Sequence, residues 1–156
     1  MPTTFPNAVH ACDDIHNQYL KNGLGALTSK YRQKVTQGED VKISGSVYLD
    51  EAIGQSGEKC VDFAIGVQVM SKEDDRVIFL EIHPATDKEV IAIVGKFDFI
   101  LKWLTQGGVS LGQLKRKHIW IASGSSHLSP ASIRKLNALG VVFLGGHLAI
   151  NKKLFS

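Results

Sequence analysis

The sequence predicts an α/β fold in three layers, a mixed central β-sheet with helices on both faces. Three observations predict it. Val61-Asp62-Phe63-Ala64-Ile65-Gly66-Val67 and Arg76-Val77-Ile78-Phe79-Leu80-Glu81-Ile82-His83-Pro84 read as apolar strands, and the charged linker Ser71–Asp75 between them suits a hairpin. After Pro84 the apolar period changes to three and four. From His118 to Leu144 the order is strand, helix, strand, which implies a right-handed parallel crossover.

At 156 residues the chain is expected to be one domain with a sizeable core. Hydrophobic residues make up 44% and charged residues 21%, a globular balance that excludes large-scale disorder. The net charge of +3 permits binding to a polyanion without requiring it. Cys12 and Cys60 have no CxxC spacing, and the first residues lack a secretory pattern, so reduced thiols and a cytoplasmic location are expected. No apolar run is long enough to span a bilayer, and no membrane partner is expected.

In chain order, residues 1–7 carry two prolines and read as an extended arm. Val9, Cys12, Ile15, His16, Tyr19 and Leu20 recur at helical spacing, which predicts a helix over residues 8–34, bent or broken at Gly23 and Gly25. Its far end is basic, which suits a helix C-terminus. Alternation over Val41–Leu49 predicts a strand with a bulge or kink at Gly45. Residues 50–59 form a polar loop before the two apolar strands. Thr86 and Glu89 then make a capping box for a helix over residues 87–104. Val90, Ile91, Ile93, Val94, Phe97, Ile100, Leu101 and Leu104 give it one wide apolar face. Ala92, Phe99 and Trp103, with Lys96 between them, form a second stripe on roughly the opposite side, which the N-terminal helix or, in a homodimer, a second subunit could cover. The basic run Lys115-Arg116-Lys117 precedes a strand at 118–122, and residues 123–127 form a loop. Ser129-Pro130 starts a helix with Ile133, Leu136 and Leu139 inward, ending at Gly140. Residues 141–144 are a buried strand and 147–150 a last short one.

The chemistry gathers at strand ends. Asp62 opens one apolar strand, and Glu81 and His83 close the next. A carboxylate on an apolar strand needs a partner, because an unpaired buried charge is expensive. Glu81 and His83 are two apart and share a face, so both can converge with Asp62. An ion pair from Glu81 to Lys59, Lys88 or Lys96 is the purely structural alternative.

This order, with acids so placed, resembles the PD-(D/E)XK nuclease superfamily, the fold of many restriction enzymes and junction resolvases. The resemblance covers residues 8–122 and implies a restriction-endonuclease-like αβββαβ core, with residues 123–156 as a C-terminal helix–strand extension. It implies metal ligation by Asp62 and Glu81, with Mg²⁺ or Mn²⁺ as cofactor and nucleic acid as partner. The family's motif lysine is absent: His83 stands in its place, and Val61 rather than proline precedes Asp62. Either His83 takes over part of the lysine's role, or Lys96 on the following helix reaches in, or nothing is cut. The expected function is a nuclease-like protein that hydrolyses phosphodiester bonds. The alternative is a catalytically inactive nuclease-fold protein acting as a binding or dimerisation module. An unrelated ligand-binding α/β protein is a third reading. The loop at 123–127 lacks the spacing of a phosphate-binding motif. The remaining histidines lack zinc spacing.

Overall fold

The computed structural model describes residues 3–53 and 59–156. Residues 54–58 of the expected 50–59 loop, and the first two residues of the expected arm, lie outside them. The fold is mixed α/β. Its elements are α1 (Phe5–His10), β1 (Leu20–Lys21), α2 (Ser29–Arg32), β2 (Val35–Gln37), β3 (Val41–Tyr48), α3 (Leu49–Ala52), β4 (Phe63–Val69), β5 (Arg76–Thr86), α4 (Val90–Trp103), α5 (Val109–Gly112), β6 (Lys115–His127), α6 (Pro130–Ala138), β7 (Val141–Phe143) and β8 (Leu148–Ile150). Six strands form one sheet in the order β1-β3-β4-β5-β6-β7. The β3–β4–β5 meander is antiparallel, as the charged hairpin linker requires, and β6 and β7 add in parallel through α4 and α6. The register of β3 on β4 slips between Ile43 and Gly45, the bulge expected at that glycine.

Alternation along β5 divides the interior. Val77 and Phe79 point into one apolar cluster, shared with α1, α4, α5 and Leu136 of α6. Ile78, Leu80 and Ile82 point into another, on the opposite face, shared with Leu27, Val35, Leu148 and Ile150. β5 is therefore buried on both sides, which explains its near-continuous apolar run.

The expected helix over residues 8–34 does not form. Its two halves serve opposite faces: Ala8, Val9, Cys12 and Ile15 join the first cluster, whereas Leu27, with Leu24 and Tyr31 against it, joins the second. A straight helix cannot cover both faces. The chain instead rounds the sheet edge as β1, antiparallel to β3, and Gly23 takes a φ of 51° on the way. The extended arm is also corrected. Helix α1 begins at Phe5, with the Thr4 hydroxyl accepting from Asn7 N–H and the Asp75 carboxylate accepting from Phe5 N–H at 2.7 Å. Pro6 falls in its first turn, where a missing N–H costs nothing.

Three further expectations change. β6 runs to His127, and residues 123–127 are strand rather than loop, Ser126 and His127 pairing with Ala85 and Thr86. The basic run lies inside that strand. In α6, Leu136 is buried but Leu139 is exposed, since the helix ends just before it. β8 pairs in parallel with β2 in a separate two-stranded sheet. Both cysteines are buried and unbridged. No helix among the described residues is long and apolar enough to cross a membrane.

Candidate active site

Asp62 immediately precedes β4, and Glu81 lies on the neighbouring strand beyond the paired residues Phe63 and Leu80. Glu81 is held by the backbone N–H of Asp62, and Asp62 by the backbone N–H next after Glu81. Asp62 N–H donates to Glu81 Oε1 at 3.0 Å, and Ile82 N–H donates to Asp62 Oδ2 at 3.0 Å. This reciprocal clamp fixes two carboxylates side by side at one end of the sheet.

Helix α4 supplies the cation. Ile93, Phe97 and Ile100 are its fully buried face. Lys96 is three residues from Ile93 and four from Ile100, so it flanks that face and points at the sheet. Its Nζ donates to Glu81 Oε2 at 2.9 Å. The same arithmetic corrects the second stripe: Trp103 lies three residues beyond Ile100, beside the core rather than opposite it. Trp103 is 7% exposed and its indole N–H donates to Asp14 Oδ2 at 2.9 Å, so it is not part of an open dimer surface.

His83 shares the face of Glu81, as the strand period requires. Its Nδ1 is 3.5 Å from Glu81 Oε2, and its Nε2 is 3.0 Å from Glu89 Oε2. Glu89 therefore holds His83 and does not close a capping box: Thr86 makes no side-chain cap bond, and a 3₁₀ turn at Asp87–Glu89 leads into α4. A pocket of about 430 Å³ opens here, lined by Tyr31, Asp62, Glu81, Ile82, His83, Glu89, Ala92 and Lys96. All four candidate residues thus meet in one cavity. Lys59 and Lys88 make no ion pair with Glu81 among the described residues.

Burial, with the Asp62 charge beside it, pushes the Glu81 carboxyl up to about 8, against the pull of Lys96. Burial raises Asp62 too, and Asp50 adds to the rise, while the Ile82 N–H and Lys96 oppose it. Burial works against the Lys96 charge, but Glu81, Asp62 and Asp50 outweigh it and raise the ammonium. Burial is the first cause of both carboxyl rises, and a neighbouring acid adds to each.

Asp50, read from the sequence as loop, is the third acid. It lies in the first turn of α3, just past β3, and its Oδ1 is enclosed with no hydrogen-bond partner among the described residues. Its signal was its place just after an alternating strand, the same kind of place as Asp62. Tyr31 and Glu89 were also read only as scaffold. Among the described residues no group of three or more His, Cys, Asp or Glu side chains is arranged to hold a metal ion. Two carboxylates are nonetheless enough for Mg²⁺, which keeps several waters and takes further oxygens from a phosphate.

No family model, curated protein or solved structure matches this chain.

Proposed function

We propose that this protein is a metal-dependent phosphodiesterase of the nuclease type, acting on nucleic acid at Asp62, Glu81 and Lys96. The observation that carries the reading is the 2.9 Å contact of Lys96 Nζ with Glu81 Oε2, in the pocket that Asp62 also lines. The set resembles that of PD-(D/E)XK nucleases, with the lysine supplied by α4 rather than by position 83. The three-layer restriction-endonuclease-like core belongs to the same proposal, on the strength of the meander followed by α4 and the parallel strand β6.

Asp62 and Glu81 would hold Mg²⁺ or Mn²⁺, which would take the place of the proton that burial favours on Glu81. A bound divalent ion supplies charge neutralisation at the phosphate and a more acidic water. Lys96 keeps its proton and has two further N–H donors for a phosphate oxygen or the attacking water. His83, steadied by Glu89, sits beside Glu81 as a secondary proton carrier.

Plasmid, branched DNA and RNA incubated with the protein and Mg²⁺ or Mn²⁺ test the reading. Asp62→Ala, Glu81→Ala and Lys96→Ala should each lower cutting by about 10²-fold or more. Equal cutting by wild type and the Asp62→Ala/Glu81→Ala double variant removes the enzymatic claim.

One observation favours the inactive module. Both Glu81 oxygens already accept protein hydrogen bonds, from Asp62 N–H and Lys96. On that reading the network is closed, and a Mn²⁺ titration leaves the resonances of Asp62 and His83 unbroadened.

A further inference from the structure

A second groove of about 430 Å³ lies along α4 and shares Ala92 and Lys96 with the candidate active site. Lys59, Ile91, Phe99 and Lys102 line the rest of it. Ile91 is 78% exposed and Phe99 half-buried, so the groove offers apolar surface to solvent. Its charged groups are Lys59, Lys96, Lys102 and Asp98. Asp98 is paired with Lys102 at 3.0 Å, and Lys96 with Glu81, which leaves the groove net positive among the described residues.

Gly95 supplies an independent observation. It stands mid-way in the 14-residue helix α4, where glycine is less stable than alanine. Among the described residues nothing lies within 4 Å of a Cβ built there, so none of their side chains explains it. It lines the groove one turn before Phe99, and it keeps the groove floor low enough for another chain to approach the helix backbone.

The other end of the path is also aromatic. Tyr31 lines the active-site pocket, and its ring meets Phe63 edge-on at 6.1 Å and 71°. Phe63 is itself 5.3 Å from Tyr48, which is 36% exposed. Aromatic rings therefore flank the acids and Lys96 on both sides, Phe99 on one and Tyr31 on the other, with lysines along the way. Alternating stacking surfaces and cations suit a strand whose bases are unpaired; a duplex hides its base faces. Each pocket is the size that holds a single small ligand, not a helix of paired strands.

We infer that the substrate is single-stranded nucleic acid, laid across α4 over Gly95 with one base against Phe99, its neighbour's phosphate at Lys96, and the next base against Tyr31. The inference rests on the proposed phosphodiesterase reading but is tested without cutting. Labelled DNA and RNA strands of about 16 nucleotides, and the blunt duplex of the same sequence, are titrated in EDTA and followed by fluorescence anisotropy. Single strands should bind at least about tenfold tighter than the duplex, and the tighter of DNA and RNA names the source. Phe99→Ala and Tyr31→Leu should each weaken binding by about tenfold, whereas Tyr31→Phe keeps it. Gly95→Leu fills the groove where its Cβ meets no atom of the described residues; it should melt at or above wild type yet bind at least about tenfold more weakly. Duplex binding as tight as single-strand binding, or Gly95→Leu binding as wild type, overturns the inference. A protein that binds single strands in this pattern but cuts nothing loses the catalytic reading and keeps this one. A protein that cuts duplex and single strands equally keeps the first and loses this one.

Discussion

At the scale of single residues, Glu81 makes folding depend on pH. It is fully buried, and its carboxyl is raised to about 8 by burial and by Asp62. The unfolded chain ionises it near 4.3. A group whose folded value lies above its unfolded one stabilises the protein below the unfolded value, and that stabilisation is lost as pH rises through the folded value. Thermal melts should therefore fall between about pH 4.5 and pH 8, by at least about 1 kcal/mol or roughly 2–4 °C. Glu81→Gln cannot ionise, so its melts should stay flatter over that range; an unchanged slope would mean that Lys96 already neutralises Glu81 fully. Lys96→Met isolates the pair from the other side. Lys96 pulls the Glu81 carboxyl down, so without it Glu81 holds its proton to higher pH, and the variant should lose more stability relative to wild type at pH 8, where the ion pair forms, than at pH 5, where Glu81 is protonated in both. Urea midpoints at the two values should separate accordingly. The strand period placed Glu81 and His83 on one face from the sequence alone. It could not say that Glu89 would take His83, since a 3₁₀ turn rather than a capping box decides that.

At the scale of elements, α1 depends on one glycine of β4. A Cβ at Gly66 would overlap the Phe5 ring, so the missing side chain is the seat into which α1 docks. Gly66→Ala should cost about 1–3 kcal/mol by overpacking. Phe5→Ala should cost about 3–5 kcal/mol by leaving a cavity. Because Phe5→Ala removes the overlap, the double variant should be less destabilised than the sum, and a double-mutant cycle on urea midpoints reads that coupling. Additive losses would mean that α1 docks elsewhere. The meander was legible because alternation and a charged hairpin linker are local signals, and α4 because its period runs over many residues. The helix expected at residues 8–34 was misread for the converse reason. Its apolar spacing is real, but it joins residues that face opposite sides of the sheet, and only the edge strand β1 reveals the turn between them. Trp103 was misplaced by treating a flank of the buried face as a separate stripe.

At the scale of the whole molecule, the candidate site depends on a pairing between distant parts of the chain. Leu148 N–H donates to Lys34 O at 2.8 Å and Gly38 N–H donates to Ile150 O at 2.8 Å, which joins the C-terminal strand β8 to β2. The sequence showed a short apolar strand at its end but nothing of its partner, because a three-residue parallel pairing carries no local signature. That pairing closes the second apolar face, where Leu148 and Ile150 are fully buried. It also anchors α2, which has only four residues and cannot persist without tertiary support. Tyr31 sits on α2 and reaches the active-site pocket from there. Leu148→Ala should cost about 2–5 kcal/mol overall. The loss should not be uniform. In native-state hydrogen exchange, the amides of Tyr31 and Gln33, bonded to Thr28 O and Ser29 O, should open well before those of β5, which is paired on both sides. Single-strand binding should fall with them, under conditions where the sheet remains folded. Uniform acceleration across α2 and β5 would instead mean that Tyr31 is held by Phe63 alone, and that the far end of the chain has no part in shaping the pocket.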